Sequence, residues 1–271
     1  MSAGGNAREA VRPEEGIAWI TGASSGIGAA LAETLARDGW RVAATARSAE
    51  ALADLEARSA AWAGDIRAFS GDVTDPVEMT RIVRRIEMDY GPLVMAVLNA
   101  GVYLPVDGTA PRHEDFHASI DVNLKGTVNT MLPAMEAMRL RRRGQIAVVA
   151  SVAGYRGLPT SAAYGATKAG LINLAEAMKF DLDRLGIAIQ VISPGFVDTP
   201  ATRDNPFPMP DLMPVEDAAA ALAAGLKRPE RFEISFPRSF TRKLKLLRLL
   251  PYRLYFPLVA RATGWSGKGS V

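Results

Sequence analysis

Short apolar runs alternate with longer stretches of helical periodicity along the whole chain, which is the pattern of a parallel sheet with helices on both faces. Strands are expected at residues 17–21, 41–46, 67–69, 93–98, 145–150, 188–192 and 231–236. Helices are expected between them at 26–37, 49–59, 76–89, 112–143, 161–185 and 215–227. Gly39, Gly91, Gly144 and Gly186 each follow a helical stretch, where a residue without a Cβ most easily takes the left-handed C-terminal cap. The fold class that follows is α/β: a single doubly wound parallel sheet of about seven strands with helices on both faces. No internal repeat or low-complexity segment interrupts it.

At 271 residues the chain suits one large domain. Its 48% hydrophobic and 23% charged residues are the balance of a soluble globular protein. The absence of cysteine excludes disulfides and thiolate metal sites and fits a reducing cytoplasm. Residues 1–15 are polar and read as a flexible N-terminal leader rather than a signal peptide. No uncharged apolar run approaches the roughly 18 residues that span a bilayer. A cytoplasmic protein, soluble or at most peripheral to a membrane, is therefore expected. Residues 16–236 would form the main domain and 237–271 a C-terminal extension.

Charge sets that extension apart. From Ile234 onward there is no Asp or Glu, while Arg238, Arg242, Lys243, Lys245, Arg248, Arg253, Arg261 and Lys268 are all basic. The net +3 of the chain thus leaves residues 1–233 net negative. Basic character belongs to the tail alone, and no nucleic-acid partner is implied.

Two constellations carry chemistry. After the first strand, TGASSGIG places Gly22, Gly26 and Gly28 as G-x-x-x-G-x-G, with Ser24, Ser25 and Ile27 between them, and leads into a helical pattern. Glycines let the backbone approach phosphates, and a helix N-terminus offers free N–H groups and partial positive charge. At the end of the second strand, about twenty residues on, NAD sites place an acid on the ribose 2′-hydroxyl. Here Ala46 is followed by Arg47 and Ser48, and a guanidinium there suits a 2′-phosphate. NADP(H) is the expected cofactor, with NAD(H) as the alternative. Asp72-Val73 and Asn99-Ala100-Gly101 stand at the ends of the third and fourth strands, where open α/β sheets bind ligands.

Ser151, Tyr164 and Lys168 form S-x12-Y-x3-K. Tyr164 and Lys168 share one helical face. A neighbouring ammonium favours the phenolate and is expected to bring the tyrosine toward a usable acid/base. Ser151 follows the fifth strand at the same sheet edge as the nucleotide loop. With Asn123 of DVNLKG, and with Pro194-Gly195 followed by Val197-Asp198-Thr199, these motifs make the chain similar to the short-chain dehydrogenase/reductase family over residues 15–236.

That resemblance implies a Rossmann-type domain and a small-molecule carbonyl or alcohol substrate. It implies Tyr164 as catalytic acid/base, Ser151 on the substrate oxygen, Lys168 also on the nicotinamide ribose, and Asn123 anchoring a relay water. Gly195, Val197 and Thr199, beside Pro194, would border the nicotinamide, and a homodimer or homotetramer is implied. Leu98 stands where the family often has a second Asn. A 3-oxoacyl thioester reductase, or a nucleotide-sensing protein without turnover, are the alternative readings.

His113-Glu114-Asp115-Phe116-His117 spells H-E-x-x-H, a zinc-hydrolase signature. With no third ligand suggested, a helix surface is expected and no metal site. The proline-rich residues 200–214 read as a lid over an apolar substrate or as a stiff connector. In the tail, Phe240, Leu244 and Leu247 form an apolar stripe opposite Thr241, Lys245 and Arg248. The stripe fits either an interfacial membrane helix or packing on the domain or a second subunit. RLRRR at 139–143 is expected to complement a helix dipole.

Overall fold

A computed structural model describes residues 9–203 and 209–265. Seven parallel strands, β1 (Ile17–Thr21), β2 (Arg41–Thr45), β3 (Asp65–Ala68), β4 (Leu93–Leu98), β5 (Gly144–Val149), β6 (Ile187–Pro194) and β7 (Glu233–Phe236), form one sheet in the order β3-β2-β1-β4-β5-β6-β7. The helices are α1 (Gly26–Arg37), α2 (Ala49–Arg58), α3 (Pro76–Asp89), α4 (His113–Ser119), α5 (Gly126–Arg139), α6 (Ala162–Arg184), α7 (Val215–Leu226), α8 (Arg238–Arg248) and α9 (Tyr252–Ala262).

Side-chain alternation along each strand makes two apolar layers from one sheet. Ala18 and Ile20 of β1 meet Leu31 and Leu35 of α1 and Leu222 of α7 on one face. Ile17 and Trp19 meet Met79 and Ile82 of α3, with Met131 of α5 and Leu171 of α6 completing the other. Sequence order runs outward from β1 to β3 and then jumps back across β1 to β4, so the C-terminal ends of β1 and β4 flank a topological switch point.

The structure departs from the sequence reading in four places. The helix expected at 112–143 is interrupted by a π-helical turn at Ile120–Lys125 and ends at Arg139. Buried Asn123 lies in that turn, accepting from Val102 N–H at 2.7 Å and donating to Val102 O at 2.9 Å and Thr167 Oγ1 at 3.2 Å. The one-residue widening aims its amide at the β4 loop, which is how π-bulges serve sites.

Gly39, Gly91 and Gly186 take positive φ as expected, but Gly144 opens β5, and the left-handed residue there is Arg142 at φ 49°. Arg139 does end α5, whereas Arg141 pairs with Glu87 and Arg143 with Glu15, each at 2.8 Å. Residues 9–15, counted in the leader, are held: Arg143 donates to Glu9 O and Ala10 O, and Val11 is buried.

Candidate active site

One cavity of about 650 Å³ opens along the C-terminal ends of the central strands. At its nucleotide end, Gly22 turns with φ +67°, and a Cβ there would sit 2.8 Å from Ala100 Cα. The loop therefore lies against the β4 end with backbone alone. Thr21 Oγ1 accepts from the N–H groups of Asn99 and Ala100, while Asn99 Nδ2 donates back to Thr21 O at 3.0 Å and Gly22 O at 3.2 Å. Ser25 is the N-cap of α1 without a side-chain hydrogen bond to its first turn. That turn's N–H groups face the cavity end where an anion is favoured, so this cradle fits a dinucleotide pyrophosphate.

The neighbouring loops are stitched to it. Ala23 N–H donates to Thr45 O, and Gly71 N–H to Ala46 O. Exposed Arg47 and half-buried Asp72 both line the cavity. One Asp72 oxygen, Oδ1, accepts from the N–H and hydroxyl of Thr74 at 2.9 Å. Ser48 caps α2 through Ala51 N–H at 3.2 Å.

At the catalytic end, Ser151 ends β5's extension and its Oγ accepts from Ala153 N–H at 3.1 Å, fixing the rotamer. Tyr164 projects from the first turn of α6, with Tyr103 edge-on to its ring at 5.1 Å between centres. Tyr103 in turn shares a 3.1 Å hydrogen bond with Thr160 Oγ1. Thr160 sits at φ +60°, a strained setting for a β-branched residue, and its carbonyl also accepts from Val106 N–H. Two loops are thus locked together beside the phenol.

Lys168, buried one turn on, donates to Val149 O at 2.8 Å and stands 5.5 Å from the Tyr164 ring centre. Burial dominates both titrations. It pushes the Tyr164 hydroxyl above its ordinary value, the Ser151 hydroxyl partly offsetting this and Tyr103 adding to it. The shift therefore runs opposite to the lowering expected from a neighbouring ammonium. Burial also brings Lys168 down from 10.5 to about 8.

A stability prediction follows. Below the folded-state value of about 8, the lysine is charged both folded and unfolded, and its desolvation costs about 3 kcal/mol. Between that value and the unfolded 10.5 the unfolded chain binds the extra proton, so stability rises with pH. Lys168→Met is expected to be more stable than the wild type in urea titrations at about pH 7, with the gain shrinking toward about pH 10. A gain that does not change with pH would contradict the buried-ammonium account.

The other half of the cavity is apolar. Val102, Leu158 and Phe196 meet Phe240, Leu244 and Leu247 of α8, and α9 adds Leu258 and Val259. The stripe read from the sequence therefore faces the domain's own cavity. Arg156, close behind Ser151, ties this corner down. Its guanidinium donates to Leu247 O at 3.0 Å and Leu250 O at 2.6 Å and lies 3.9 Å over the Tyr255 ring. Tyr255 OH donates to Gly157 O at 2.6 Å, and Lys245 and Tyr155 both bond Glu233. Of the proline-rich segment, Pro200, Ala201, Thr202 and Pro210 line the cavity, and Met213 bridges to Val197. Residues 204–208 lie outside the described residues.

Comparison with known proteins fits this geometry. The family model for short chain dehydrogenases matches residues 16–207. The chain belongs to the short-chain dehydrogenase/reductase family. An uncharacterised oxidoreductase of Myxococcus xanthus is 35% identical over 88% of this chain and 94% of its own length. The 3-oxoacyl-[acyl-carrier-protein] reductase of Escherichia coli is 34% identical over 69% of this chain and 75% of its own. Among solved structures, an alcohol dehydrogenase from Thermococcus sibiricus complexed with 5-hydroxy-NADP superposes with TM-score 0.74 at 26% identity, covering 82% of this chain and 95% of that one. The chain is thus an oxidoreductase that uses a nicotinamide dinucleotide on a small molecule, and the sensing alternative falls away.

In this dehydrogenase/reductase the cavity collects eighteen of the residues singled out in the sequence: Gly22, Ser24, Ser25, Gly26 and Ile27; Arg47, Asp72 and Val73; Asn99, Ala100 and Gly101; Ser151, Tyr164 and Lys168; Pro194, Gly195, Val197 and Thr199. Gly28, Ser48 and Asn123 are not among its lining: Gly28 and Asn123 are buried, and Ser48 is exposed at the start of α2. Sequence reasoning missed Tyr103 and Arg156. An aromatic two residues past Asn-Ala-Gly and an arginine between Ser151 and Tyr164 were visible signals, but both act through partners distant in sequence. His113 and His117 lie on α4 with ring centres 6.0 Å apart. Among the described residues, no group of three or more His, Cys, Asp or Glu could hold a metal, and no helix is long and apolar enough to cross a membrane.

Proposed function

We propose that this enzyme interconverts the carbonyl of a hydrophobic small molecule and the corresponding secondary alcohol with NADP(H). One observation carries the reading: Ser151, Tyr164 and Lys168 share a continuous cavity with the glycine loop on one side and an apolar wall on the other. The bound dinucleotide supplies the hydride in reduction and takes it up in oxidation. Tyr164 donates its proton to the carbonyl oxygen, and Ser151, fixed by its bond from Ala153, donates to the same oxygen as charge develops. Lys168 stabilises the phenolate that results and would also hold the nicotinamide ribose. Asn123 would anchor the relay water: its side chain is committed to Val102 and Thr167, and its main-chain oxygen, which accepts from Thr127 Oγ1 at 2.7 Å, keeps a second lone pair for it.

Gly22, Gly26 and the α1 N-terminus would hold the pyrophosphate, Asp72, Val73 and Asn99–Gly101 the adenosine, and Pro194, Gly195, Val197 and Thr199 the nicotinamide. Arg47 supports the 2′-phosphate, since Ala46 leaves no acid at the ribose and the guanidinium is exposed at the cavity wall. NAD(H) would be the weaker cofactor. The enzyme is read as a cytoplasmic homodimer or homotetramer, with Leu132 of α5 and Phe180 of α6 exposed and available to a second copy. The basic extension that closes the cavity is also the part of the chain suited to a membrane surface. The Escherichia coli relative favours a second reading, reduction of a 3-oxoacyl thioester, with the same chemistry at the same residues.

A panel of aliphatic, aromatic, steroid and 3-oxoacyl ketones followed by dihydronicotinamide absorbance tests the reading. Apolar ketones are expected to be reduced with NADPH at least about tenfold more efficiently than with NADH, and Arg47→Ala should remove that margin. Equal use of NADH, or turnover of none of these carbonyls, would overturn it.

A further inference from the structure

We propose that the face built by α8 and α9 docks on an anionic membrane surface, and that the apolar substrate enters the catalytic cavity from the bilayer through the rim these helices form. This rests on the hydrophobic-substrate reading above.

The first observation is exposure. Half of the large apolar side chains that stand exposed among the described residues fall between 246 and 265. Leu249 is 79% exposed, Leu246 68%, Phe256 61% and Leu254 53%. Single exposed leucines need no explanation, whereas a cluster of this density marks a surface that meets something apolar.

The second is charge. Exposed Arg238, Arg242, Lys243, Arg248, Arg253 and Arg261 stand among these apolar residues, and no acidic residue follows Glu233. A cationic and apolar helix surface with aromatic side chains is what inserts at the headgroup boundary of anionic lipid. A second copy of the chain is a poor occupant, because a twofold contact would set these cations against one another.

The third is continuity with the site. On α9, residues 254, 258 and 261 recur at helical spacing, so Leu254, Leu258 and Arg261 share a stripe. Leu258 and, just past the helix, Trp265 are exposed and also line the cavity, as does Lys243 of α8. Residues that do both mark the rim. The adjoining stripe, Tyr255 and Val259, is buried in the domain. The platform is rigid, because Arg156 holds the α8–α9 corner to the loop behind Ser151.

The test uses the full-length enzyme and vesicles of phosphatidylcholine with or without about one third phosphatidylglycerol. The wild type should sediment with the anionic vesicles, at least about tenfold less with pure phosphatidylcholine, and less as salt rises. The double variant Leu249→Glu/Leu254→Glu, altered away from the cavity lining, should lose about tenfold of that binding while reducing a water-soluble short ketone at the wild-type rate. On a long-chain ketone held in anionic vesicles, the wild type should outpace the variant by about tenfold. A wild type that ignores anionic vesicles, or equal rates on the vesicle-held ketone, would sink the proposal. So would a variant that keeps vesicle binding but dissociates a dimer in sedimentation velocity. Vesicle binding by a wild type that reduces no ketone would support docking and refute the functional reading instead.

Discussion

Tyr164→Phe is expected to lower kcat by about 10³-fold or more while NADPH binds within about twofold of wild type. The variant removes one oxygen from a ring that Tyr103 and the α6 backbone already position, so the cavity keeps its shape. What is lost is the hydroxyl assigned to protonate the carbonyl oxygen, which lines the cavity beside Ser151. The pH profile provides a second readout. Burial keeps the Tyr164 hydroxyl protonated through neutral pH, so ketone reduction starts from the correct form there and should not gain as pH rises. Alcohol oxidation needs the phenolate and should speed up as pH rises. Both limbs belong to the coupled Tyr164–Lys168 pair, since the ammonium that steadies the phenolate is itself lost as pH passes about 8. Stopped-flow NADPH binding beside steady-state turnover separates the two claims. A Tyr164→Phe enzyme with wild-type kcat would remove the tyrosine from the reaction altogether.

The glycine loop, Ser151, Tyr164 and Lys168 were legible because each is a local pattern whose meaning is fixed by the strand or helix it abuts. The parallel sheet of about seven strands needed only seven apolar runs and the helices between them, whereas the strand order is seen only in the structure. The π turn at Ile120–Lys125 was not legible, because a one-residue widening leaves the hydrophobic period of its flanking helices nearly unchanged. The stripe Phe240, Leu244, Leu247 was visible as a stripe, but periodicity does not say which surface an amphipathic helix covers. Pairings across a long span of chain, such as Arg156 with the α8 C-terminus and Tyr155 with Glu233, leave no local trace at all. The direction of the Tyr164 shift was misread for a related reason. The lysine four residues away is written in the sequence, whereas the desolvation that raises the Tyr164 hydroxyl comes from the surrounding fold.

Gly28→Ala is the second substitution expected to have a large effect, although Gly28 is not among the residues lining the cavity. A Cβ there would fall 2.3 Å from Gly22 O and 2.5 Å from Asn99 Nδ2. Neither can yield cheaply. Gly22 O belongs to the loop backbone, and the Asn99 amide holds that loop through Thr21 O and Gly22 O. One methyl group should therefore lift the loop away from α1 and break the bond from Asn99. Overpacking of this kind destabilises by about 1–3 kcal/mol. Affinity should suffer as well, because the pyrophosphate needs the Gly22–Gly26 backbone and the α1 N-terminus in register, and a loss of about a hundredfold for NADPH is expected. Gly108→Ala is the control, since nothing lies within 4 Å of a Cβ at that position. Isothermal titration of both variants, each checked by urea unfolding, decides the matter. If Gly28→Ala is destabilised but binds NADPH like Gly108→Ala, the loop is a structural turn, and the cofactor must be held elsewhere along the strand ends.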